Sequence, residues 1–463
     1  MDKMFSLKCC FTTYILCAMA SLAASAQSIP YKPMLQKGKV WYERYIYPPR
    51  GYDMFGKSAI TTDTIVDGKS CFAFKYTGST MEDEDLVWEA DGKVYGLGNN
   101  DFYEMNFDNH GLYYDFTLCK GDTTIVYGGG AVKVVMVDTI MVDSEHYRRF
   151  EIRSASDQLL DFPEYWVEGI GSSWGFYPCF RYDTFGSEDV VDSCTVDGRL
   201  VFMRNDFVRV PHSSRQWVLQ NYGIDHCHAQ PYLAAGIQRN LATIGESELL
   251  GNTWEKVYDC SEPRSNSQTP DQRYKYLFLM RSEDGRVLAE AESYRNAFPD
   301  AATVYPENGS GEVVLYDYNA QLGDAYLGHD TITVVAQGDT VLSDGQPHRT
   351  LTLSTGHQLV EGIGCVNTGY TPFDYLCHPV TTRLGEMNGF ALLENYYDAE
   401  GHRVYVKSRE QVYDALVAGV QAVTSGNVRT VDDAVYDLQG RRVVAGKLPK
   451  GIYVRQGRKF VVR

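Results

Sequence analysis

A glycine-flanked serine is the first feature of this sequence that could support catalysis. Gly171-Ser172-Ser173-Trp174-Gly175 matches the Gly-x-Ser-x-Gly pattern, with Ser173 at its centre. In that pattern a sharp turn between a strand and a helix exposes the serine hydroxyl as a nucleophile. No helix-forming stretch follows here, and the corresponding run from Gly364 to Gly369 contains no serine. The glycines are therefore interpreted as turn residues, and no catalytic residue is assigned.

Two pairs of acidic residues have the chemistry of a general acid and a nucleophile. The pairs are Glu168 with Glu361 and Asp115 with Asp317. Glycoside hydrolysis needs two carboxyl groups roughly 5 to 9.5 Å apart that face one bond. The members of each pair occupy equivalent places in two copies of an internal repeat. We therefore expect each carboxylate to make the same internal hydrogen bond in its own copy.

Few residues have the spacing of metal ligands. His226-Cys227-His228 is the most compact group of soft ligands in the sequence, and it matches no common zinc site. The acidic run Glu82-Asp83-Glu84-Asp85 lacks the alternating ligands and the turn glycine of a calcium loop. We predict no metal and no cofactor. The two runs are interpreted as a histidine pair in a linker and a solvated acidic face.

Clustered aromatic residues could bind a ligand. They lie at two places in the chain: Trp41, Tyr42, Tyr45 and Tyr47, and then Tyr396 and Tyr397. Aromatic faces stack on sugar rings, and a tyrosine adds a hydrogen-bonding tip. The alternative is that these side chains form half-buried cross-strand pairs on a sheet. A glycan or protein ligand is therefore an expectation that the sequence leaves open.

A long internal repeat must position all of these residues. Asp91-Gly92-Lys93-Val94-Tyr95 recurs as Asp284-Gly285-Arg286-Val287-Leu288, and Val167-Glu168-Gly169-Ile170-Gly171 recurs as Val360-Glu361-Gly362-Ile363-Gly364. Such self-similarity indicates tandem domains. We place copy one at residues 31–205 and copy two at residues 245–408. Residues 206–244 are predicted to be a linker with a short helix near residues 232–241, and residues 409–433 a second linker.

The fold class follows from the turn and strand signals inside each copy. Asp-Gly pairs between short apolar runs, as at Asp67-Gly68 and Asp197-Gly198, favour two-residue hairpin turns. Helical periodicity is nearly absent within the copies. We predict a mainly β protein with two tandem antiparallel β-sandwich or open-barrel domains and a small C-terminal β module.

Composition limits the classes of partner. The chain has 463 residues, with 60 acidic and 43 basic residues and a formal charge of -17. Binding to nucleic acid or to an anionic membrane needs a basic surface, so neither is expected. No stretch in the mature chain has the roughly 20 apolar residues of a membrane-spanning helix. We predict no transmembrane span.

The N-terminal segment predicts export. Residues 1–26 combine Lys3 and Lys8 with an apolar run from Phe11 to Leu22, and Ala24-Ser25-Ala26 is a small-residue cleavage pattern with Ala24 and Ala26 at its key positions. Eight cysteines remain after cleavage. An exported chain permits disulfides, with Cys179 and Cys194 the first pair expected. Free buried thiols are the alternative.

The last thirty residues form a basic module. Residues 434–463 hold eight basic residues and one acidic residue, a net charge of +7, whereas the mature chain before them carries about -25. Such a change of charge indicates a separate unit. Its pattern is one of short strands and turns, built from Tyr436-Asp437-Leu438-Gln439-Gly440-Arg441, Gly451-Ile452-Tyr453-Val454 and a closing valine-rich strand.

This C-terminal module resembles the sorting domain of proteins exported by the type IX secretion system. The resemblance covers less than a tenth of the chain. It implies passage across the inner membrane, translocation across the outer membrane by the type IX machinery, and removal of the module. The repeats resemble uncharacterised modules of exported proteins that carry this signal. We therefore expect a secreted or cell-surface protein with a non-catalytic binding or structural role. A secreted hydrolase with a site at the junction of the two copies is the alternative.

Overall fold

The structure is a computed structural model in which part of the chain is described. The described residues are 29–47, 52–66, 68–78, 82–96, 111–126, 130–155, 164–176, 188–225, 232–265, 267, 269–305, 307–368, 371–378, 390–407, 435–437, 442–443, 451–455 and 458–462. The fold is mainly β, as the sequence predicts.

Copy one consists of strands β1 to β13. Their bounds are β1 Lys39–Tyr47, β2 Tyr52–Val66, β3 Lys69–Gly78, β4 Glu82–Ala90, β5 Lys93–Gly96, β6 Leu112–Asp115, β7 Thr123–Val126, β8 Gly130–Val142, β9 Glu145–Ser154, β10 Glu164–Val167, β11 Gly171–Ser172, β12 Glu188–Val196 and β13 Arg199–Met203. A 3₁₀ helix at Arg204–Val208 follows β13 and leads into copy two.

Copy two consists of strands β14 to β25, with several short helices. The strands are β14 Arg215–Asp225, β15 Tyr232–Leu249, β16 Asn252–Asp259, β17 Lys275–Glu283, β18 Arg286–Glu290, β19 Glu312–Asp317, β20 Val334–Val341, β21 Pro347–Leu353, β22 Gln358–Val360, β23 Gly364–Cys365, β24 Phe390–Tyr397 and β25 Arg403–Val406. The α-helices are Pro270–Arg273 and Ala291–Ala297, and the 3₁₀ helices are Pro299–Thr303, Tyr326–Gly328 and Tyr375–Cys377.

The two copies share one topology. Among the described residues, copy one has an eight-stranded sheet in the order β13-β12-β1-β2-β3-β4-β5-β6, and copy two has β25-β24-β14-β15-β16-β17-β18-β19. A second sheet in copy one runs β11-β10-β9-β8-β7, and its counterpart runs β23-β22-β21-β20. Neighbouring strands are antiparallel throughout. The eight-stranded sheets match strand by strand, and in the second sheet only β7 lacks a counterpart strand among the described residues. This match supports a duplication of one β-sandwich domain.

The predicted Asp-Gly turns join adjacent strands in both copies. Asp91, Asp197 and Asp284 have φ of 51°, 50° and 48°, and the glycine that follows each of them also has a positive φ. Positive φ at both central residues defines the hairpin turn whose twist matches that of the strands. Short-range turn chemistry therefore sets these registers.

Each copy has its own core between its two sheets. In copy one Trp41 of β1 is fully buried, and its indole N–H donates to the backbone oxygen of Ile170 at 2.7 Å. In copy two Trp217 of β14 is 2% exposed and donates to the oxygen of Ile363, also at 2.7 Å. A buried indole needs a partner for its N–H, so each tryptophan ties one sheet to the loop beside the other.

The prediction of a short helix near residues 232–241 is wrong. Tyr232–Leu249 is strand β15, and it lies between β14 and β16. Along its described side chains, Leu241 to Ile244 are all buried. From Asn240 to Ile244 successive side chains on both faces are buried, so this part of the strand lacks the alternation of apolar and polar residues that distinguishes a strand from a helix. Copy two accordingly begins at Arg215, inside the predicted linker.

The predicted disulfide is contradicted at one of its two residues. Cys194 has a free thiol, is fully buried, and lies opposite Trp41 in the register of β12 and β1. Burial raises the pKa of this thiol to about 12. Cys179 lies outside the described residues. The described cysteines all carry free thiols, and the alternative of buried thiols applies to Cys71, Cys194, Cys260 and Cys365.

The basic terminal module contains four short strands. They are β26 Val435–Asp437, β27 Arg442–Val443, β28 Gly451–Arg455 and β29 Arg458–Val462, in the order β27-β26-β28-β29. Tyr436 and Asp437 lie on β26, and Gly451, Ile452, Tyr453 and Val454 lie on β28. Among the described residues these strands pair only with one another.

Candidate functional site

The two copies meet at a pair of hairpin turns. The turn between β8 and β9, Asp143-Ser144, lies against the turn between β24 and β25. Asp143 N–H donates to the oxygen of Gly401 at 2.9 Å, and Ser144 N–H donates to the oxygen of Glu400 at 3.0 Å. A Cβ at Gly401 would lie 2.6 Å from the oxygen of Met141, so the close approach requires glycine.

A serine, a histidine and an aspartate form a hydrogen-bonded chain across this junction. Ser144 Oγ lies 3.0 Å from Nε2 of His402, and Nδ1 of His402 lies 2.9 Å from Oδ2 of Asp398. With the proton on Nδ1, Nε2 accepts from the serine hydroxyl. This is the order of groups in a serine hydrolase triad. Ser144 has φ of 63°, a backbone conformation that L residues rarely adopt.

The surroundings of Ser144 lack part of what acyl transfer needs. An oxyanion hole is built from N–H donors that are free to bind a developing negative charge. The N–H groups of Asp143 and Ser144 both donate to copy two. Those of Glu400 and His402 donate to Oδ1 of Asp398. The chain of groups can therefore activate a hydroxyl, but these four donors are not free to stabilise an oxyanion.

The same turn groups potential metal ligands. One ligand atom each from Asp398, Glu400 and His402 lies within 4.8 Å of the others. Both ring nitrogens of His402 are already hydrogen-bonded, one to Asp398 and one to Ser144. Zinc takes three or four ligands in tetrahedral geometry. The group is consequently best described as part of the hydrogen-bonded junction.

A buried ion pair lies behind these turns. Asp206 of the 3₁₀ helix is fully buried, and both of its carboxylate oxygens lie 3.2 Å from Nε of Arg403. The hydroxyl of Tyr397 donates to the same carboxylate at 2.9 Å. Arg403 also pairs with Asp143 of copy one. A buried charge is tolerated only when it is paired and hydrogen-bonded, so the joining segment and both copies are held as one unit.

A second buried arginine ties copy one to the joining segment. Arg149 of β9 forms a two-pronged ion pair with Asp138 at 2.7 and 3.0 Å. Its remaining nitrogen donates to the oxygens of Phe207 at 2.6 Å and Arg209 at 2.7 Å. A bidentate pair of this kind fixes the orientation of the guanidinium and also stabilises the fold. The path from copy one to copy two is thus a rigid connection.

The glycine-flanked serine has a structural role. Ser173 Oγ accepts from the N–H of Tyr165 at 3.1 Å within the β10–β11 turn. The preceding Ser172 donates its hydroxyl to the buried Glu164 carboxylate, which also accepts from the indole of Trp166 at 2.7 Å. Burial raises the pKa of Glu164 to about 7, although both hydrogen bonds oppose the shift. No helix follows Ser173 in the described residues up to Phe176.

Asp115 and Asp317 make matching contacts, as predicted. Asp115 Oδ1 accepts from the N–H of Thr117 at 2.9 Å, and Asp317 Oδ1 accepts from the N–H of Asn319 at 3.0 Å. A basic side chain of the neighbouring strand pairs with each: Lys93 at 2.9 Å and Arg286 at 2.8 Å. Both aspartates are part of the shared scaffold.

Glu168 and Glu361 differ, and the prediction of a shared hydrogen bond is wrong for this pair. The Glu168 side chain is 1% exposed and accepts from Lys32 N–H at 2.8 Å and from Arg148 at 3.0 Å. Glu361 is exposed. Its carboxylate forms no hydrogen bond or ion pair among the described residues. A Cβ built on Gly169 would meet Lys32, whereas one built on Gly362 would meet no described atom within 4 Å.

Three of the four clustered aromatic side chains that the structure describes are internal. Trp41, Tyr396 and Tyr397 are buried, and Tyr396 packs against Trp217 with ring centroids 5.3 Å apart. Tyr42 is 43% exposed. The side chains of Tyr45 and Tyr47 lie outside the described part. These positions favour the alternative of packed strand residues over an aromatic sugar platform.

Several predicted features lie outside the described residues. They are residues 1–26 with Ala24 and Ala26, the His226-Cys227-His228 run, the linker 409–433, and Leu438, Gln439, Gly440 and Arg441 of the terminal module. Of the acidic run, Asp85 lies on β4 and accepts from the hydroxyl of Tyr113 at 2.6 Å.

Comparison with known proteins gives no relative. No family model, curated protein or solved structure matches this chain. Among the helices of the described residues, none combines the length and the apolar character needed to cross a membrane. Conclusions about function therefore depend on the chemistry of the molecule itself.

Sequence reasoning missed the junction residues. Ser144, Asp206 and His402 come from three separated segments with no common motif, and their proximity depends on how the copies pack. One signal for the true start of copy two was present. A basic residue stands two positions before the tryptophan in both Lys39-Val40-Trp41 and Arg215-Gln216-Trp217. Each cation lies 5.8 Å from its indole ring.

Proposed function

We propose that this chain is an exported protein that acts at the cell surface or in the medium in a binding or structural role. The signal segment at residues 1–26 directs it across the inner membrane. The basic module at residues 434–463 directs it through the type IX secretion machinery. The two copies then form a rigid pair of β-sandwich domains that presents its surface to a partner.

One observation carries the delivery part of this proposal. The strands that contain Tyr436 and Gly451–Arg455 form a sheet of their own, and among the described residues they share no strand pairing with copy two. Removing such a unit leaves every backbone ladder of copy two intact. A module that is recognised and then removed needs that independence.

The non-catalytic part depends on how the acidic residues are used. Asp115 and Asp317 hold equivalent turns, and Glu168 holds the N-terminal segment. General acid and base catalysis needs groups that can reach a substrate. Carboxylates that are committed to the scaffold support binding or structure instead.

Deleting residues 434–463 tests the delivery proposal. The shortened chain should fold normally but accumulate in the periplasm of its natural host, since it lacks the signal that the outer-membrane machinery reads. A variant that replaces Lys447 and Lys450 by alanine serves as a milder comparison. Delivery of the shortened chain to the surface at the normal level would overturn the proposal.

A hydrolase is the second candidate, favoured by the hydrogen-bonded chain of Ser144, His402 and Asp398. In this reading the serine oxygen attacks an ester carbonyl, and His402 takes the proton and returns it to the departing alkoxide. Water then releases the acyl group from the serine by the same route. The ester is consumed and an acid and an alcohol form.

Labelling with a fluorophosphonate separates the two candidates. A hydrolase should be labelled at Ser144, and Ser144→Ala should abolish labelling while the matched variant Ser173→Ala keeps it. An unlabelled wild-type chain would eliminate the hydrolase and leave the binding role in place.

A further inference from the structure

The first described residues of the chain are packed into copy one. Residues 31–35, which we name the N-terminal strap, lie just before β1 and form no strand. Glu89 of β4 accepts from the N–H groups of Met34 at 3.0 Å and Leu35 at 2.9 Å. Met34 is fully buried and Leu35 is 5% exposed, and both belong to the hydrophobic core of copy one. The strap is therefore part of that core.

The strap also contacts the second sheet of copy one. Glu168, which follows β10, accepts from the N–H of Lys32 at 2.8 Å. A Cβ on Gly171 of β11 would lie 2.7 Å from the terminal methyl carbon of Met34, so the methionine packs directly on this turn. Because Glu89 lies in the first sheet and the β10–β11 turn in the second, the strap ties the two sheets together.

A buried lysine depends on the strap for most of its hydrogen bonds. Lys39, the first residue of β1, is 3% exposed, and its Nζ donates to the backbone oxygens of Pro33 at 3.3 Å and Met34 at 2.9 Å. A third bond reaches the oxygen of Gly169 at 2.6 Å. Without the strap the ammonium would lose two acceptors and Glu89 would lose two N–H donors. Unpaired buried charges are costly, so copy one should be much less stable without the strap.

Copy two has no such requirement. The residue of β14 that corresponds to Lys39 is Arg215, whose guanidinium pairs with Glu255 of the same copy. Ser282 stands in the place of Glu89. An uncharged side chain there needs no N–H donors from a strap. The dependence on a strap is thus confined to the copy that lies next to the signal segment.

The strap lies very close to the predicted cleavage point. Only residues 27–30 separate it from Ala26, and a chain of that length spans at most roughly 14 Å. A domain of the size of copy one has a radius of gyration of about 16 Å. While residues 1–26 are held in the membrane, folded copy one would have to press against the membrane before the strap could enter its core.

We propose that the strap is a latch that closes copy one only after the signal segment has been removed, so that copy one stays incompletely folded while the chain crosses the inner membrane. A chain that passes through a narrow channel has to be unfolded, and an open copy one favours that state. The inference rests on the export role proposed above and adds a means by which folding is delayed until export is complete.

Hydrogen exchange of two purified chains tests the latch itself. One chain begins at Gln27, and the other begins at Gln36 and lacks the strap. In the shorter chain the amides of β1 and β10 should lose protection at least about 100-fold, since two large apolar side chains leave the core. The amides of β16 and β17 in copy two should keep their protection. Equal protection of β1 in both chains would overturn the proposal.

A peptide of residues 27–35 separates loss of the latch from general misfolding. Added to the chain that begins at Gln36, it should restore the protection of β1 in a saturable manner, because the site for the strap is otherwise complete. The same peptide with Met34→Asp is the control and should restore nothing, since a charge cannot enter the site of the buried methionine. Equal restoration by both peptides would overturn the proposal.

The full precursor tests the link to the signal segment. Bound through residues 1–26 to phosphatidylcholine vesicles, it should show the same unprotected β1 as the chain that lacks the strap. A matched variant carries about 20 Gly and Ser residues after Ala26, a flexible linker that spans roughly 25 Å, and should regain protection while still bound. A bound precursor that is as protected as the chain from Gln27 would overturn the proposal.

The same experiment distinguishes failure of the latch from failure of the export role. A precursor that does not bind the vesicles would overturn the export role of residues 1–26 and this inference with it. A precursor that binds but has a fully protected copy one would overturn the latch alone.

Discussion

Glu164 carries a buried carboxyl group that has no basic hydrogen-bond partner among the described residues. It lies at the start of β10, is 2% exposed, and accepts from Trp166 and Ser172. In copy two the equivalent position is His357, also 2% exposed, which is hydrogen-bonded to Thr355 at 2.8 Å. Burial lowers the pKa of this histidine. Both copies thus place an ionisable group in one buried position, where burial disfavours its charged form.

The raised pKa of Glu164 predicts a pH-dependent stability. The pKa of the Glu164 carboxyl is near the ordinary value of 4.5 in the unfolded chain, and burial raises it to about 7 in the folded chain. Between these values the folded chain holds a proton that the unfolded chain has released. The free energy of unfolding should therefore fall as the pH rises through this window, by roughly 3 kcal/mol in total.

Urea unfolding at about pH 5 and about pH 8 measures this effect. Glu164→Gln should remove the contribution, because an amide does not titrate, while the exposed control Glu361→Gln should keep it. If Glu164→Gln loses as much stability with rising pH as the wild-type chain, then Glu164 is ionised in the fold and this account of it is wrong.

Local chemistry decides which single residues the sequence could predict. The Asp-Gly turns need only two adjacent residues with positive φ, so they were predictable. The matched bonds of Asp115 and Asp317 followed from their duplicated sequence. The contact of Glu168 with Lys32 was not predictable, because the two residues lie 136 positions apart and Lys32 belongs to neither repeated motif.

At the scale of elements, the internal strands β14 and β15 decide where copy two begins. Strand β14 pairs with β15 on one side and with β24 on the other. A copy that started at Gly245 would lack β14 and most of β15. The repeated motifs lie outside both strands, and the buried run from Leu241 to Ile244 in β15 has no alternation by which a strand is recognised.

Two fragments test this boundary. Residues 204–407 should give a cooperative unfolding transition, since every strand of copy two is present. Residues 245–407 should be unfolded by circular dichroism, because β16 and β24 lose their partners at the centre of the sheet. Cooperative unfolding of the shorter fragment would contradict the assignment of β14 and β15 to copy two.

At the scale of the whole molecule, buried ions join the copies. Arg403 and Asp206 are 7% and 0% exposed. Arg403→Met would leave the Asp206 carboxylate buried without its cation, which should lower the free energy of unfolding by about 3 to 5 kcal/mol. Arg286→Met is the matched control, because its ion pair with Asp317 involves a side chain that is 53% exposed. Loss of this ion pair should lower the free energy of unfolding by less than about 1 kcal/mol.

Denaturant unfolding of the two variants and of the double variant Asp206→Asn with Arg403→Met completes the test. The double variant should recover part of the lost stability, since neither charge remains buried. An Arg403→Met protein as stable as the Arg286→Met protein would show that the junction does not depend on this pair.

The fold class and the duplication were predictable because repeated segments and turn residues recur along the sequence. The contacts at the junction of the two copies were not predictable from the sequence. Its residues lie on β8, β9, the 3₁₀ helix and the β24–β25 turn, and they form a pattern only after both copies have folded. Composition and the two terminal segments predicted an exported protein.

Intact mass of the native protein, recovered after cell fractionation, tests the central proposal most directly. We predict a species from the cell surface or the medium that begins at Gln27 and has lost the basic module of residues 434–463. Added mass at the new C-terminus would indicate attachment to the surface. A periplasmic species that still ends at Arg463 would contradict delivery by a sorting module and make the terminal sheet an ordinary part of the fold.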